Sequence, residues 1–429
     1  MKLNRISILE LINPKRQYII FSFIVISFYG AIPLALYFKT QEISFLECSL
    51  AGLLSSICIF LGGNFVKKRV VHFVIKDKSQ KINNLVVFSL ILFFIAFITT
   101  AIFTATSIPI LVSFNGGSIE EISISRAMFL KARDGIYSIL VYVSALLSGF
   151  IIPYVLAKLY LSKSKTFWFL LIIFSSYSVI STEKAFFMRW AIPLLVLFYM
   201  IGRSGSKKYI TIAKRTLFSI FLIIFINITL SGFSDGKGFN IQSTTDFFNA
   251  GYASEVLNQN GAMFFIWRTF AVPIFTASDS FKTFNEVYEG QLLWGATNGT
   301  LSSLFGLNRV WFERDVFAGQ WGQADGGTMS SNAVYFTEAF VNFGWLGLII
   351  ISLLVGYILA KMGNSKDIGI NILTPLLTYN LFSSGLLGTL LGNGLLLLFV
   401  LLFIVNKTDK HHKNNNPLYQ HPILTIKNH

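Results

Sequence analysis

Cations that stand in or beside apolar stretches are the side chains of this sequence best suited to chemistry. They are Arg126, Arg133, Lys184, Arg189 and Arg268. A guanidinium near hydrocarbon costs about 2–3 kcal/mol even on lenient scales, so it usually pairs with a carboxylate or binds an anion. Because the planar fork of Arg makes two parallel charge-assisted bonds to phosphate, several such cations in one cleft would form a diphosphate site.

The alternative for each cation is an ion pair with an acidic neighbour. Asp134 and Glu183 stand next to two of them in the sequence. Arg314, which stands between Glu313 and Asp315, is a further cation for which pairing is the favoured interpretation. For the others both interpretations stay open.

Two acidic residues are candidates for a catalytic role. Glu338 lies about one and a half turns into an apolar run that begins at residue 333. It could be a base or the ion-pair partner of Arg268 or Arg126, and the partner role is favoured. Asp325 opens a polar, glycine-containing run that ends at Asn332. That run predicts either a helix cap or backbone donors aimed at a sugar or phosphate at a helix N-terminus.

Other kinds of chemistry lack their usual residues. The sequence has no Gly-rich phosphate loop, no Cys-x-x-Cys pair and no Asp-x-Asp metal motif. Four of the five histidines fall in the C-terminal tail and His72 in a basic loop. Cys48 and Cys58 lie on one predicted helix, roughly 15 Å apart, too far for a disulfide. We expect no metal and no cofactor.

The composition places these residues in a membrane protein. Of the 429 residues, 54% are hydrophobic and only 13% are charged, and the mean hydropathy is +0.63. A soluble protein of this size could not cover its surface with so few charges. The 44 Phe residues also exceed what one globular core needs.

Apolar runs long enough to cross about 30 Å of hydrocarbon predict ten transmembrane helices. They cover residues 18–38, 43–65, 85–110, 136–161, 167–180, 185–201, 217–230, 333–360, 368–381 and 386–405. The runs lack the in/out alternation of barrel strands, so helices are the expected spanning form. The predicted fold class is an all-α polytopic membrane protein.

The net charge of +15 is explained by topology. With the N-terminus in the cytoplasm and alternating spans, most of the 35 Lys and Arg residues fall in cytoplasmic segments, as the positive-inside rule requires. Both termini are then cytoplasmic. The first span follows a basic tail, but it is longer than a signal-peptide core, so an uncleaved helix is expected. The net positive charge therefore gives no support to a nucleic-acid partner.

Four regions follow from this topology. Residues 1–232 hold seven spans, 233–332 form a large external loop, 333–406 hold three spans and 407–429 form a polar tail. The external loop contains a stretch over 261–278 that predicts an interfacial or re-entrant helix. A loop this long and aromatic is usually functional, so the chemistry is expected on the outer face. Glycines 385, 388, 392 and 394 predict close helix packing.

At these residues the chain resembles the Wzy-type polymerases of bacterial O-antigen and capsule biosynthesis. The resembling features include Ser-Arg at Arg126, Ser-Thr-Glu-Lys ending at Lys184, and Trp-Arg-Thr-Phe-Ala-Val-Pro around Arg268. The longest is Gly-Gly ahead of Asn332, then Glu338-Ala and Asn-Phe-Gly-Trp-Leu-Gly. The resemblance covers most of the chain in topology and implies a GT-C-like architecture in the bacterial cytoplasmic membrane. The Arg-x10-Gly pattern of some members is not met, which leaves open which arginine plays which role.

The resemblance implies a glycosyltransferase that polymerises oligosaccharide repeat units linked to undecaprenyl diphosphate, at the outer face of the membrane. The five cations above would hold the leaving diphosphate without a metal, and Glu338 or Asp325 would help to deprotonate the acceptor hydroxyl. The side chains expected to bind the glycan are Trp267, Trp294, Trp321 and Asn332. The implied partners are the lipid-linked oligosaccharide, membrane lipid and a chain-length regulator.

Two alternatives to this function are kept. An O-antigen ligase has a similar architecture, but that resemblance would bring a histidine in an outer loop, and this sequence has none there. A lipid-linked oligosaccharide flippase or other transporter would more typically have twelve or more spans and short outer loops.

Overall fold

All regular elements among the described residues are helices in a computed structural model of the chain. The residues that the structure describes are 12–66, 83–117, 119–131, 133, 135–182, 184–203, 208–216, 218, 271–321, 331 and 333–403. The side chains of a few residues within these helices, among them Lys184 and Trp321, are not described.

We number the helices in chain order. They are α1 (Pro14–Thr40), α2 (Ile43–Asn64), α3 (Asn84–Phe103), α4 (Pro109–Phe114), α5 (Ile119–Arg126), α6 (Gly135–Leu161), α7 (Thr166–Ser181), α8 (Lys184–Arg203), α9 (208–216), α10 (Val272–Glu286), α11 (Gly299–Phe305), α12 (Phe312–Trp321), α13 (Tyr335–Gly363), α14 (Ile368–Ser383), α15 (386–392) and α16 (395–403).

Five helices in the described part of the chain are long and apolar enough to cross a membrane: α1, α2, α3, α6 and α13. The helices α7 and α8 are apolar but shorter, and α14 has 16 residues. The predicted span 217–230 falls almost entirely outside the described residues, and the predicted span 386–405 is broken between α15 and α16. The coarse prediction of a helical membrane protein is therefore confirmed, whereas the count of ten spans stays a prediction.

Contacts between helix ends distinguish the two ends of the bundle. At one end, Nζ of Lys158 in α6 lies 2.8 Å from Oδ1 of Asp367, which precedes α14. At the other end, Ser278 in α10 donates to Ser44 in the first turn of α2, 3.1 Å away. We call these the inner and outer ends, after the orientation that the positive-inside rule predicts.

Small residues let α2 and α13 pack with their backbones in contact. A methyl group on Gly62 would lie 2.1 Å from the carbonyl oxygen of Leu353, and one on Gly356 would lie 2.0 Å from that of Ile59. One to two turns before these glycines, Ser55 in α2 and Ser352 in α13 are buried and hydrogen-bonded at 2.8 Å. Because lipid is as apolar as the side chains, such close packing and buried hydrogen bonds hold spans together.

The glycines predicted to permit packing near the last span divide into two kinds. A methyl on Gly394 would lie 2.5 Å from the carbonyl oxygen of Leu146, and one on Gly385 would meet Glu338. Among the described residues nothing lies within 4 Å of a methyl on Gly388 or Gly392, so for these two the described part of the chain shows no close packing.

Wide helical turns precede the prolines in two spans. The π-helical turn Ile26–Ala31 comes directly before Pro33 in α1, and Leu147–Ile151 comes before Pro153 in α6. Proline lacks an amide hydrogen and crowds the preceding turn. An extra residue in that turn accommodates the ring without ending the helix.

The helix α13 contains a break at Gly344, whose backbone has φ 66° and ψ −160°. These angles cannot continue the helical hydrogen-bond ladder, and only glycine adopts them readily. The carbonyls of the preceding turn are bonded by the external segment instead. The amide of Leu293 donates to Val341 O at 3.1 Å, and the amide of Trp294 donates to Asn342 O at 3.0 Å.

The described part of the predicted external loop, residues 271–321, is mostly helical and packs on the outer end of α13. Its contact is a buried cluster formed by Phe284, Phe312, Val316 and Val341. The predicted interfacial helix over 261–278 corresponds in part to α10, which begins at Val272 and continues to Glu286. Residues 261–270 lie outside the described residues.

Candidate functional site

Glu338 lies in the first turn of α13 and contacts the turn that ends α14. A methyl on Gly385 would lie 2.0 Å from Oε2 of Glu338, so the carboxylate rests directly on the Gly385 backbone. The amide of Leu387, in the first turn of α15, donates to it. This amide is one of the donors that the start of a helix leaves unpaired, so the hydrogen bond fixes the direction of the carboxylate.

Asn342 lies one turn after Glu338 and ties α13 to the external segment. Its side chain is 1% exposed, donates to the carbonyl of Glu338 and to Oγ1 of Thr297, both at 2.7 Å, and accepts from the amide of Gly295 at 2.8 Å. Both N–H donors of this amide and one lone pair of its oxygen are thereby used. The segment around Thr297 is therefore held close to Glu338.

Arg189 approaches the same region from α8. Its guanidinium donates to Oγ of Ser148 in α6 and interacts electrostatically with Tyr379 near the end of α14. Glu338 contacts the stretch that follows Tyr379 on the chain, at Gly385. One predicted cation and one predicted carboxylate thus meet the outer end of α14.

Arg133, which lies just before α6, uses its guanidinium for hydrogen bonds within the protein. Its guanidinium donates to Phe129 O and Ala101 O, each at 2.7 Å, and to Oγ1 of Thr104. Partial burial lowers the pKa of this arginine, and the nearby hydroxyl of Tyr177 opposes that change. Because two of its donors bond to Ala101 O and Thr104 Oγ1 at the end of α3, Arg133 holds that helix end in place.

Serines on one face of α6 connect these two arginines. The hydroxyls of Ser144 and Tyr177 are 2.6 Å apart, and Tyr177 is the neighbour of Arg133. Ser148, one turn further along α6, takes the hydrogen bond from Arg189. A strip of polar groups therefore runs between Arg133 and Arg189.

The remaining predicted site residues are placed less completely. Arg126 ends α5 and is half-buried. Lys184 begins α8 and Trp321 ends α12, without described side chains. Those outside the described residues are Asp325, Trp267, Arg268 and Asn332. Trp294 is 61% exposed beside the Asn342 contact, a position open to a sugar ring.

Sequence reasoning missed a cluster formed by Arg309, Trp311 and Arg314. The guanidinium carbons of the two arginines lie 3.7 and 4.0 Å from the centroid of the Trp311 ring. Two such groups cannot both lie over one face at these distances, so they stack on opposite faces. Arg314 was predicted to pair with Glu313 or Asp315, but no described ion pair joins it to either, and Asp315 accepts a hydrogen bond from the hydroxyl of Tyr288. Cation–π stacking replaces the ion pair here.

A buried carboxylate in α10 was also missed. Asp279 is 5% exposed, and its Oδ2 atom has no hydrogen-bond partner among the described residues. Burial raises the pKa of Asp279 well above its usual range, while Gln320 and Lys282 act in the opposite direction. The signal in the sequence was slight, because Asp279 stands among Thr and Ser residues typical of an exposed helix face.

No group of three His, Cys, Asp or Glu side chains in the described ranges is placed to hold a metal ion. Comparison with protein families, with curated proteins and with solved structures finds no match to this chain.

Proposed function

We propose that this protein is an integral-membrane glycosyltransferase that joins oligosaccharide repeat units linked to undecaprenyl diphosphate. In this reaction the bond between the anomeric carbon of the growing glycan and the diphosphate breaks. A hydroxyl oxygen of the next lipid-linked repeat unit forms the new glycosidic bond, and its proton passes to a base. The products are a longer lipid-linked glycan and free undecaprenyl diphosphate.

The observation that carries the proposal is that Arg189 and Glu338 both lie near the outer end of α14, Arg189 beside Tyr379 and Glu338 on Gly385. The donor is already activated by its diphosphate, so the protein mainly positions the substrates and stabilises the charge of the leaving group. A guanidinium and a carboxylate held by different helices around one helix end are suited to these two tasks. The Asn342 contacts hold the external segment above them.

The roles of Arg133, Arg189 and Glu338 rest on their contacts, and those of the other residues rest on the sequence alone. Arg189 binds the leaving diphosphate, together with Arg126, Lys184 and Arg268. Arg133 is a positioning residue, because its donors already hold the end of α3. Glu338 accepts the proton of the acceptor hydroxyl, with Asp325 as the second candidate for this role.

Reconstitution of the full-length protein with a synthetic lipid-linked repeat unit tests the proposal. We expect Glu338→Gln and Arg189→Gln each to lower the rate of polymer formation about a hundredfold or more, because each removes one catalytic contribution. Lys163→Gln, which removes an exposed charge at the inner end, is the matched control and keeps the rate. Chelator is expected to have no effect.

Two results would contradict this proposal. Wild-type rates in both variants would remove the two residues from the chemistry. Unchanged polymer length and amount in Arg126→Ala and Arg268→Ala, both expressed normally, would remove the wider diphosphate site.

Surface-glycan patterns from a deletion strain separate the alternatives. Loss of a polymerase leaves single repeat units attached to the surface acceptor, whereas loss of a ligase leaves none attached. Loss of a flippase traps the lipid-linked precursor inside the cell.

A further inference from the structure

The segment 294–314, which we call the interfacial hairpin, lies at the depth of the outer membrane surface. The helix α13 has 29 residues, or roughly 43 Å at 1.5 Å per residue, whereas the hydrocarbon layer is about 30 Å thick. Measured from Lys361 in its last turn, about 20 residues of α13 cross the hydrocarbon. The outer boundary therefore falls near Val341 to Gly344.

Hydrogen bonds fix the hairpin at that boundary. Its first residue, Trp294, bonds to the carbonyl of Asn342 at 3.0 Å, and the amide of Val310 bonds to the carbonyl of Ala296 at 3.0 Å. Trp345, which is 42% exposed on α13, marks the same level, where Trp side chains of membrane proteins concentrate. Both ends of the interfacial hairpin are thus near the depth of the lipid headgroups.

The hairpin exposes apolar side chains that a fully hydrated loop would not favour. Leu304 is 73% exposed and Phe305 is 60% exposed at the end of α11, and Leu307 and Trp311 follow them with partial exposure. Clustered Leu, Phe and Trp side chains next to cations are typical of elements that lie in the membrane interface. Their apolar area is removed from water when they enter the boundary between headgroups and acyl chains.

The two arginines supply the complementary charge. Arg309 is exposed, and neither Arg309 nor Arg314 forms an ion pair with a described carboxylate. Stacking on Trp311 fixes the guanidinium planes, so that their N–H groups stay available for phosphate oxygens. Arg309 lies against Gly299. A methyl on Gly299 would be 3.3 Å from the guanidinium carbon, so the absence of a side chain at this position leaves room for Arg309.

We propose that the interfacial hairpin inserts into the outer headgroup layer and that Arg309 and Arg314 bind the phosphates of anionic phospholipids. A phospholipid is favoured over the lipid-linked diphosphate of the proposed reaction because Arg309 and Trp311 are exposed, whereas a reacting diphosphate needs a site that excludes water. This inference does not depend on the proposed glycosyltransferase activity.

A fluorescent probe on the hairpin tests the proposal. Both native cysteines are buried, so Leu304→Cys in the full-length protein can be labelled selectively with an environment-sensitive dye. The purified protein in detergent is titrated with phosphatidylglycerol, and the blue shift of the dye emission gives the half-maximal concentration. Phosphatidylcholine, inorganic diphosphate and a polyprenyl diphosphate are titrated in parallel.

We expect phosphatidylglycerol to shift the emission at the lowest concentration of the four. Each of Arg309→Gln and Arg314→Gln should raise the half-maximal concentration about fivefold, and the double variant about twenty-five-fold, since a cation near an anionic surface contributes about 1 kcal/mol. Lys39→Gln, which removes an exposed charge elsewhere at the outer end, should leave it unchanged. Arg309→Lys should retain part of the binding, and the thermal unfolding temperature checks that each variant is folded.

Three outcomes overturn the proposal. The first is the absence of any shift with phosphatidylglycerol. The second is saturation by polyprenyl diphosphate at a lower concentration than by phosphatidylglycerol, which would make the cluster a substrate site. The third is a half-maximal phosphatidylglycerol concentration that the double variant leaves unchanged, which would mean that the two arginines do not bind the lipid.

Discussion

Single residues at the outer end of α14 set the geometry of the proposed site. Glu338 is held between the backbone of Gly385 and the amide of Leu387. A carboxylate held in this way has a fixed direction, which a proton acceptor needs. Its position therefore depends on the absence of a side chain at residue 385.

Gly385→Ala is predicted to displace the Glu338 carboxylate, because the new methyl would lie 2.0 Å from its Oε2 atom. A shift of about 1 Å in a reacting group can reduce a rate about a hundredfold. The reconstituted polymerisation assay measures this loss. Gly388→Ala is the control, since nothing lies within 4 Å of its methyl, and equal rates in the two variants would contradict the prediction.

The sequence could identify Glu338 and Arg189 as candidates because each is charged within an apolar stretch. It could not identify the stacking of Arg309 and Arg314 on Trp311. Asp315 is adjacent to Arg314 in the sequence. Its carboxylate instead accepts a hydrogen bond from the hydroxyl of Tyr288, 27 residues earlier. Only the folded chain decides which of the two neighbours Asp315 meets.

Pairs of helices hold the bundle together through backbone contact. The helices α2 and α13 approach each other at Gly62 and Gly356, with Ser55 and Ser352 bonded between them. The apolar character of these spans was evident from the sequence. Their pairing was not, because a run that is apolar on all sides does not show which face meets another helix.

Gly356→Ala is predicted to destabilise the protein by about 1–3 kcal/mol, the usual effect of overpacking. The added methyl would lie 2.0 Å from the carbonyl oxygen of Ile59, so α2 and α13 would have to separate. Thermal unfolding in detergent measures the change. Gly392→Ala, whose methyl meets nothing within 4 Å, should unfold at the wild-type temperature or above, and a similar loss there would argue against the packing explanation.

The whole molecule has two chemically different ends. The ion pair of Lys158 with Asp367 lies at the inner end, and the Tyr154 hydroxyl donates to the same carboxylate at 2.7 Å. The external segment 271–321 lies at the outer end. Which end faces the cytoplasm is a prediction from the distribution of cations in the sequence.

Cysteine labelling in cells checks this orientation. Glu286→Cys in α10 and Ser162→Cys after α6 are both exposed positions, and the two native cysteines are buried. A membrane-impermeant maleimide should label Glu286→Cys in intact cells and Ser162→Cys only after lysis. Labelling of Ser162→Cys in intact cells would reverse the predicted topology.

The break at Gly344 has a consequence for biogenesis. The ribosome makes Leu293 and Trp294 before α13, yet their amides bond to carbonyls of that helix. The external segment therefore cannot reach its final form until α13 has entered the bilayer and met it. Cut out of the protein, residues 271–321 would lack these acceptors, so we expect them not to fold as a separate soluble fragment.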